Sequence, residues 1–426
     1  MIREEDYIMS EIPCSFLTGS AGSGKTTKIR QLIESDPSAA ALCSTTGISA
    51  INLGCITINS LLGYFDSQSL KDALINGRLV RTLRKIVREY KAIAIDEISM
   101  MPGDQLDILH YAVGEANKAE SKQMGIIAIG DMLQLPPVKS KWVFDSEVWP
   151  EFEKNITKLT KIWRQSDENF LNALGEIRQG NGANGVDLLV NNCGVQFYSS
   201  VDTKFQGTSI LAKNDSVDGY NFTCALDVKG QEFKFNPIRK GKQQDEWSKN
   251  IPLQQRFKIG TYNMILANDT DKDEITGKPE FKFANGDSGY IRDFNKGDRS
   301  FQIELVRNKE IVSISPITRF FEVYDEPKYW DDRTFEPRRN PNTRKWIIGE
   351  ITYYPLRLAY ASTTFKSQGL TLDRVQIDCR HAFFGSPHQA YVALSRCKSA
   401  KGLRIVGTPE LLAKRINIDE RVRRFL

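Results

Sequence analysis

Short apolar runs alternate with amphipathic stretches through roughly the first 140 residues of the chain. The runs are bounded by Gly, Asp, Ser or Thr and lie at Cys14–Thr18, Ala39–Cys43, Ala92–Ile95 and Ile126–Ile129. This alternation predicts a parallel β-sheet flanked by helices, the α/β class. Because such sheets bind ligands at the carboxyl ends of their strands, functional residues are expected directly after these runs.

The same alternation of apolar runs and amphipathic stretches returns later in the chain, where a segment with a different sequence pattern interrupts it. Apolar runs that predict strands of a second α/β domain lie at Thr208–Leu211, Leu356–Tyr360, Val375–Asp378 and Leu403–Val406. From roughly 250 to 350, short alternating segments are broken by Asn, Asp, Gly and Pro. That pattern is typical of small β-barrels, so we predict a β-barrel insertion within the second α/β domain.

Composition excludes several classes of protein without naming a function. The N-terminus carries acids where a signal peptide needs bases, and every apolar run is too short to span a membrane, so a cytoplasmic protein without a membrane partner is expected. The seven cysteines form no Cys-x-x-Cys pair and the three histidines are scattered, which argues against disulfides and structural zinc. A net charge of +5 permits nucleic-acid binding but does not demonstrate it.

A glycine-rich loop, GSAGSGKTT, follows the first predicted strand and opens a predicted helix. It matches the phosphate-loop pattern G-x-x-x-x-G-K-[ST] in full. Lys25 is expected to contact the β- and γ-phosphates of a nucleotide, and the Thr26 hydroxyl to bind Mg²⁺. The alternative, a chance glycine-rich turn, leaves the strand-loop-helix context unexplained. The predicted nucleotide-binding residues of this loop are Gly19, Ser20, Ala21, Gly22, Ser23, Gly24, Lys25, Thr26 and Thr27.

Two adjacent acids follow the apolar run AIAI, on the side of the sheet where the phosphate loop is expected. Asp96 is the candidate Mg²⁺ ligand, and Glu97 is the candidate base that orients and deprotonates an attacking water. Adjacent acids at a strand end can also be only a helix cap. Together with the phosphate loop, however, the pair predicts nucleotide hydrolysis.

Phosphate loops occur in kinases, transporters, GTPases and motor proteins, so later segments must decide the class. IAIGDMLQLPPV places Asp131 and Gln134 just after a strand, and LTKIWRQSDENFLNALGEIRQG carries Arg164. PLRLAYASTTFKSQGLTLDRV and QAYVALSRCKS complete the set, the latter with Arg396. In these ordered motifs, from about residue 16 to about residue 400, the chain resembles the superfamily 1B helicases of the Pif type and the phage Dda/RecD type.

The resemblance implies two RecA-like domains that hold ATP between them. It implies an SH3-like β-barrel insertion in the second domain and a short wedge insertion in the first. Gln134 would sense the γ-phosphate, Arg164 and Arg396 would reach it from the second domain, and Gly369 would belong to the nucleotide site. Such arginines are worth about 10³–10⁵ in rate in other phosphate-loop enzymes. The alternative for each arginine is a surface ion pair.

The predicted boundaries are 1–165 for the first RecA-like domain, 166–249 with 351–426 for the second, and 250–350 for the β insertion. The wedge is expected at about 61–88. Basic residues recur there at helical spacing from Arg78 to Arg88. They form either a solvated helix face or a track for DNA phosphates.

DNA contacts are assigned on the same resemblance. Ser44, Thr45 and Thr46 stand at a predicted strand end, where hydroxyl and N–H groups can bind phosphates, although such a cluster can also merely cap a helix. Family members commonly have histidine where Asn59 and Phe365 stand, so the chain departs from the pattern there. The further candidates for DNA contact are Thr57, Asn59, Thr363, Lys366, Ser367 and Gln368.

These features and the resemblance together predict a monomeric helicase that uses ATP and Mg²⁺ and unwinds duplexes. The resemblance implies movement from 5′ to 3′ on single-stranded DNA. Its partners would be single-stranded and forked DNA, and replication or single-strand-binding proteins. The sequence does not separate roles in replication, repair and recombination. Alternatives are an annealing motor that translocates without unwinding, a DNA-binding scaffold without catalysis, and a phosphate-loop kinase or metabolic ATPase.

Family members usually carry a glutamine upstream of the phosphate loop that reads adenine, and residues 1–18 contain none. A site built around such a hydrogen bond rejects the wrong base strongly, whereas phosphate contacts and stacking do not. We therefore expect GTP to support hydrolysis with a kcat/KM within about tenfold of that for ATP. Side-by-side kinetics with single-stranded DNA present measure this. A preference for ATP of about a hundredfold would show that another group reads the base.

Overall fold

The structure is a computed structural model with two compact units, residues up to Val217 together with Ala361–Leu426, and Asp218–Tyr360. It describes residues 12–53, 55–161, 167–205, 207–241, 251–267, 282–283, 287–306, 308–324, 328–331, 336–339, 345–370, 372 and 374–426. The first unit contains two parallel sheets with flanking helices, which confirms the α/β class and the pair of RecA-like domains. Within the described residues, no helix is long and apolar enough to cross a membrane.

The sheet of the first RecA-like domain has six parallel strands in the order β3-β2-β4-β5-β1-β6. All four predicted strands are confirmed. The two others escaped the sequence pattern because β3 has only two residues and β6 is a largely exposed edge strand. The strands are β1 (Cys14–Gly19), β2 (Ala41–Ser44), β3 (Ile56–Thr57), β4 (Ala92–Asp96), β5 (Gly125–Gly130) and β6 (Ile156–Leu159).

Helices pack on both faces of this sheet. The longest is rich in Leu, Val and Ala along one side, and it buries Leu106, Leu109 and Val113 completely in the core beside β4 and β5. The helices are α1 (Lys25–Ser35), α2 (Gly47–Leu53), α3 (Ile58–Leu62), α4 (Ser67–Ile75), α5 (Arg78–Glu89), α6 (Gly103–Glu120) and α7 (Trp149–Glu153).

The interval in which the wedge is predicted forms the helices α4 and α5. Leu79 and Leu83 on α5 are completely buried, so this helix is part of the domain core. On its basic side, Arg84 and Arg88 both form ion pairs with Glu120 of α6, at 2.6 and 2.7 Å. Part of the basic face therefore supports helix packing, and the wedge role of the interval stays a prediction.

The second RecA-like sheet has five parallel strands in the order β21-β8-β22-β23-β7. These strands are β7 (Phe197–Tyr198), β8 (Thr208–Leu211), β21 (Ala361–Thr363), β22 (Val375–Asp378) and β23 (Leu403–Val406). The helices along this part of the chain are α8 (Glu168–Arg178), α9 (Gly182–Asp187), α10 (Asn214–Leu226), α11 (Thr364–Ser367), α12 (Gln389–Leu394) and α13 (Pro409–Arg415). A π-helical turn, Leu188–Asn192, extends α9.

One predicted strand of this sheet is wrong. The run Leu356–Tyr360 contains β20 (Leu356–Leu358), which pairs antiparallel with β12 (Tyr262–Ile265), and both strands lie within the unit Asp218–Tyr360. The strand that joins the parallel sheet is β21, directly after the predicted run. No Gly or Pro separates the two strands in LRLAYAST, so the sequence pattern does not reveal where the chain changes sheets.

The unit Asp218–Tyr360 is built from antiparallel strands around an aromatic core that includes Phe257, Phe301 and Tyr354. It contains the predicted insertion 250–350 and extends beyond it on both sides, while closure as an SH3-like barrel stays a prediction. Its main sheet has the order β15-β14-β13-β12-β20. Its other strands are β9 (Glu232–Phe235), β10 (Ile238–Gly241), β11 (Gln255–Lys258), β13 (Ser288–Asn295), β14 (Ser300–Leu305), β15 (Ile311–Ile314), β16 (Ile317–Tyr324), β17 (Lys328–Asp331), β18 (Glu336–Arg339) and β19 (Lys345–Tyr353).

Candidate nucleotide-hydrolysis site

The predicted phosphate loop connects β1 to α1. Gly22 and Gly24 have φ values of 80° and 88°, a left-handed conformation that costs glycine little. Gly19 packs so tightly that a Cβ atom there would lie 2.6 Å from the carbonyl oxygen of Leu159. Because α1 begins at Lys25, the N–H groups of its first turn and its positive dipole end face the loop. This geometry suits an anion such as a phosphate.

The Lys25 ammonium folds back over the loop. It donates hydrogen bonds to the carbonyl oxygens of Gly19, at 2.7 Å, and Ser20, at 3.0 Å. Burial lowers the pKa of Lys25, although the nearby carboxylates of Asp131, Glu97 and Asp96 oppose this shift. A half-buried cation held by neutral carbonyls can exchange them for phosphate oxygens, which form stronger, charge-assisted hydrogen bonds.

The predicted acidic pair lies at the carboxyl end of β4. Asp96 is buried and accepts a hydrogen bond of 2.6 Å from the Ser49 hydroxyl. Burial, and next the charge of Glu97, raise the pKa of Asp96 to about 6. Glu97 follows in the left-handed conformation, with a φ of 54°. The Thr45 hydroxyl donates to the main-chain carbonyl of Glu97 at 2.7 Å, and so holds this uncommon conformation.

Asp131 and Gln134 form a turn after β5, in which the Gln134 N–H donates to the Asp131 carbonyl at 3.0 Å. The buried Asp131 carboxylate forms an ion pair of 2.8 Å with Arg178, at the end of α8. Burial alone would raise the pKa of Asp131, but the charges of Arg178 and Lys25 outweigh it and lower that pKa. The turn is therefore tied to the second RecA-like domain by a charge pair.

Two further side chains of the second domain reach the first. The hydroxyl of Tyr391, on α12, accepts a hydrogen bond of 3.3 Å from the Ala21 N–H in the phosphate loop. The Gln368 side-chain amide, after α11, donates to the Glu97 carboxylate at 3.1 Å. A cavity of about 150 Å³ lies beside the loop, lined by Ser20, Ala21, Leu171, Leu174, Gly175, Arg178, Gln179, Tyr391 and Ser395. The phosphate loop and the acidic pair thus face the second domain.

Of the two arginines predicted to reach a phosphate, the structure describes Arg396. Arg396 is almost completely buried and donates to the carbonyls of Val392, at 2.8 Å, and Leu370, at 3.3 Å. These bonds hold the guanidinium against main-chain carbonyls of its own domain. Gly369, beside Leu370, has a φ of 81°. Arg164 lies outside the described residues.

The residues after β2 that are candidates for DNA contact form hydrogen bonds with neighbouring protein groups. Ser44 is completely buried and its hydroxyl donates to the Asp96 carbonyl at 3.3 Å, while the Thr46 hydroxyl accepts from the Ser49 N–H at 3.2 Å. Thr57 caps α3, as its hydroxyl accepts from the Ser60 N–H. The Asn59 amide donates to the Phe65 carbonyl at 3.5 Å.

The second group of DNA candidates surrounds α11. Thr363 caps this helix by accepting a hydrogen bond from the Lys366 N–H. Lys366 is exposed and its ammonium lies 3.5 Å from the side-chain oxygen of Asn214. Ser367 is completely buried and donates to the Thr364 carbonyl at 2.8 Å. Of these three candidates, Lys366 is the one that carries a charge, and that charge is exposed.

Sequence reasoning missed three residues of this site: Ser49, Arg178 and Tyr391. Arg178 and Tyr391 lie within segments that were singled out for other arginines, and Ser49 lies within the segment considered for DNA contact. Their partners are 47, 47 and 370 positions away along the chain. The sequence held a faint signal for Tyr391, because this residue lies in the same motif, QAYVALSRCKS, as Arg396.

Unpaired buried oxygens and the oxygen donors of the site give independent support for binding of a nucleotide with Mg²⁺. Ser23 Oγ and Gln134 Oε1 are buried near the phosphate loop without a hydrogen-bond partner within the described residues. A buried polar atom left unpaired costs about 1–3 kcal/mol, so such atoms are retained where a ligand pairs with them. A hydroxyl at Thr26 and a carboxylate at Asp96 are oxygen donors of the kind that Mg²⁺ prefers.

Comparison with known proteins agrees with this geometry. A family model described as an AAA domain matches residues 5–200. An ATP-dependent DNA helicase Pif1 from Bdellovibrio bacteriovorus is 30% identical, with 92% of this chain and 84% of that protein covered. The protein of the same name from Campylobacter jejuni is 26% identical, with 96% and 93% covered. A crystal structure of Pif1 helicase from Bacteroides, in complex with ADP-AlF3 and single-stranded DNA, superposes with a TM-score of 0.71 at 27% identity and covers 99% of this chain and 95% of that one.

The pair formed by Asp131 and Arg178 generates a prediction about stability. We expect Arg178→Met to lower the free energy of unfolding by about 3–5 kcal/mol, because Asp131 is left as an uncompensated buried charge. The double variant with Asp131→Asn should lose clearly less than the sum of the two single losses. Urea unfolding measures each change. Arg84→Met, which removes an exposed pair, serves as control with an expected loss below about 1 kcal/mol. Additive losses at 131 and 178 would show that the pair does not interact.

Proposed function

This chain belongs to the Pif1 family of ATP-dependent DNA helicases, and we propose that it hydrolyses ATP to move along single-stranded DNA and to separate duplexes. The observation that carries the proposal is the pair of contacts from the second domain. Tyr391 meets the phosphate loop and Gln368 meets the acidic pair. A nucleotide bound there touches both domains, so its turnover is coupled to their relative movement.

We propose that the loop residues Gly19–Thr27 bind the phosphates of ATP, and that Thr26 and Asp96 hold Mg²⁺. When bound, the metal ion neutralises charge on the phosphates. Lys25 leaves its loop carbonyls and contacts the β- and γ-phosphates. Glu97, one residue beyond Asp96, orients the attacking water and accepts its proton.

Gln134 and Arg396 complete the proposed hydrolytic machinery. Gln134 lies at the buried turn after β5 with an amide oxygen that is unpaired within the described residues, which suits it to sense the γ-phosphate side of the site. Arg396 exchanges its carbonyl partners for phosphate as the domains close, and Arg164 is proposed for the same charge-stabilising role. Dependence on closure prevents futile hydrolysis when the domains are apart.

For DNA, we propose contacts from the segments after β2 and around α11, with Lys366 as the exposed charge that binds a phosphate. Thr45 and Thr363 would belong to two alternating grips, one on each RecA-like domain. Single-stranded and forked DNA are the proposed substrates, with replication or single-strand-binding proteins as partners. Action as a monomer and a cytoplasmic location stay predictions from the sequence.

Substitutions that remove phosphate or water contacts should separate hydrolysis from DNA binding. Lys25→Ala and Glu97→Gln are expected to abolish ATP turnover while affinity for single-stranded DNA stays nearly intact, because both side chains face the nucleotide site. Steady-state hydrolysis and fluorescence anisotropy measure the two quantities. Lys91→Ala, which removes an exposed pair with Asp36, is the control and should preserve both. Loss of DNA binding in a folded Lys25 or Glu97 variant would contradict this separation.

The direction of movement is a second prediction, and it rests on the family resemblance. A duplex with a 5′ single-stranded tail should be unwound far better than one with a 3′ tail, and a blunt duplex is the control. Opening a DNA step costs only about 1.4 kcal/mol on average, so polarity must come from the grips rather than from duplex stability. Strand-displacement assays decide the matter. An equal or reversed preference would disprove 5′ to 3′ movement.

A further inference from the structure

Gln368 was expected to contact DNA, yet its side chain is only 1% exposed and points at the acidic pair. Its Nε2 atom lies 3.1 Å from Oε2 of Glu97. An ionised carboxylate can only accept hydrogen bonds, so the amide must present its NH₂ group to Glu97. A side chain buried in this way does not reach a DNA phosphate at the surface.

We propose that Gln368 is a positioning residue for Glu97, through which bound single-stranded DNA controls the activation of the attacking water. This proposal rests on the proposed function. With one carboxylate oxygen engaged by Gln368, the side chain of Glu97 is fixed in orientation and its other oxygen remains to accept the proton from water. A group held in place in this way does not have to be reorganised during the reaction.

The route from DNA to Glu97 is short. Gln368 is the residue that ends α11, a helix of four residues whose other end is capped by Thr363. The exposed Lys366 stands between them. When Lys366 binds a phosphate, any shift of this single helical turn moves the Gln368 amide directly against Glu97. No chain of intermediate residues is required.

Glu97 is also held from the first domain. The Thr45 hydroxyl donates to the Glu97 carbonyl at 2.7 Å, and the Thr45 N–H donates to the Asp96 carbonyl at 3.0 Å. Glu97 needs this support because the left-handed conformation of a non-glycine residue costs about 1–3 kcal/mol. The main chain of Glu97 is thus fixed by the segment after β2, and its carboxylate by the segment after β21. These are the two segments proposed to grip DNA.

The environment of the amide oxygen of Gln368 is consistent with a role inside the hydrolytic site. Gln368 Oε1 is buried and has no hydrogen-bond partner within the described residues. A buried oxygen left unpaired costs about 1–3 kcal/mol, a cost that an apolar side chain of the same size would avoid. A water or nucleotide group beside Glu97 would pair with it.

The test uses Gln368→Met, which keeps the length and packing of the side chain and removes the donor. ATP hydrolysis is measured over a range of ATP concentrations, without DNA and with saturating single-stranded DNA, and DNA affinity is measured separately. We expect the DNA-stimulated kcat to fall by about tenfold to a hundredfold. The KM for ATP and the Kd for DNA should each change by less than about threefold. A structural defect would not produce this split.

Two companion variants keep the test decisive. Lys366→Ala, in the same helical turn, should raise the Kd for DNA and also lower the kcat at saturating DNA, because the Lys366 ammonium is where the proposed route to Gln368 begins. Thr45→Val should lower the stimulated kcat, and Thr45→Ser, which keeps the hydroxyl, should restore it. This pair tests the hold on Glu97 even if Gln368→Met does not fold.

Three outcomes would overturn the proposal. An unchanged stimulated kcat in Gln368→Met would show that the amide does not position Glu97. A raised Kd with full recovery of kcat at saturating DNA would return Gln368 to DNA contact. An equal loss of kcat with and without DNA would remove the link to DNA. If the unchanged protein shows no DNA stimulation at all, the proposed function fails instead.

Discussion

Parallel pairing of β4 with β2 on one side and β5 on the other holds Asp96 at the edge of the sheet where the phosphate loop begins. β1 pairs with β5 in the same direction, so Gly19 and Gly130 end at that edge as well. Within the sheet, the backbone N–H and C=O groups are paired with neighbouring strands. In the loops that follow the strands, these groups have no sheet partner and can bind ligands. A slip of one residue in β4 would turn Asp96 to the opposite face. The chemistry therefore depends on this register.

Charge is concentrated at the same edge and is largely buried. Lys25 and Arg178 are balanced by Asp96, Glu97 and Asp131, and burial favours pairing over solvation for all of them. The pKa of Asp131 is lowered despite burial because the charges of Arg178, from the second domain, and of Lys25 lie close to it. An arriving phosphate group adds negative charge, for which Lys25 is the neighbouring cation. The site thus keeps the Lys25 cation beside a loop whose geometry suits an anion.

The second domain supplies polar contacts that the first cannot make for itself. Tyr391 accepts from the phosphate loop, Arg178 pairs with the turn after β5, and Gln368 donates to Glu97. At the same time, oxygens of Ser23, Gln134 and Gln368 stay buried without partners within the described residues. These unpaired oxygens lower the stability of the fold, and a ligand that forms hydrogen bonds with them would restore it. That combination is typical of a site whose two halves are meant to move relative to each other.

The sequence alone determined the α/β class, the four central strands of the first sheet, the phosphate loop and the acidic pair. Each of these is a local pattern, in which neighbouring residues carry both the structure and the chemistry. Motif order and resemblance then added the family. Tertiary structure decided the rest. It moved the run at Leu356–Tyr360 from the parallel sheet to an antiparallel one, because no turn residue marks where the chain passes between the two sheets. It brought Tyr391 to Ala21 and Gln368 to Glu97 across 370 and 271 positions of chain. Side-chain partners at such separations are chosen by how the domains pack, which a pattern along the chain does not record.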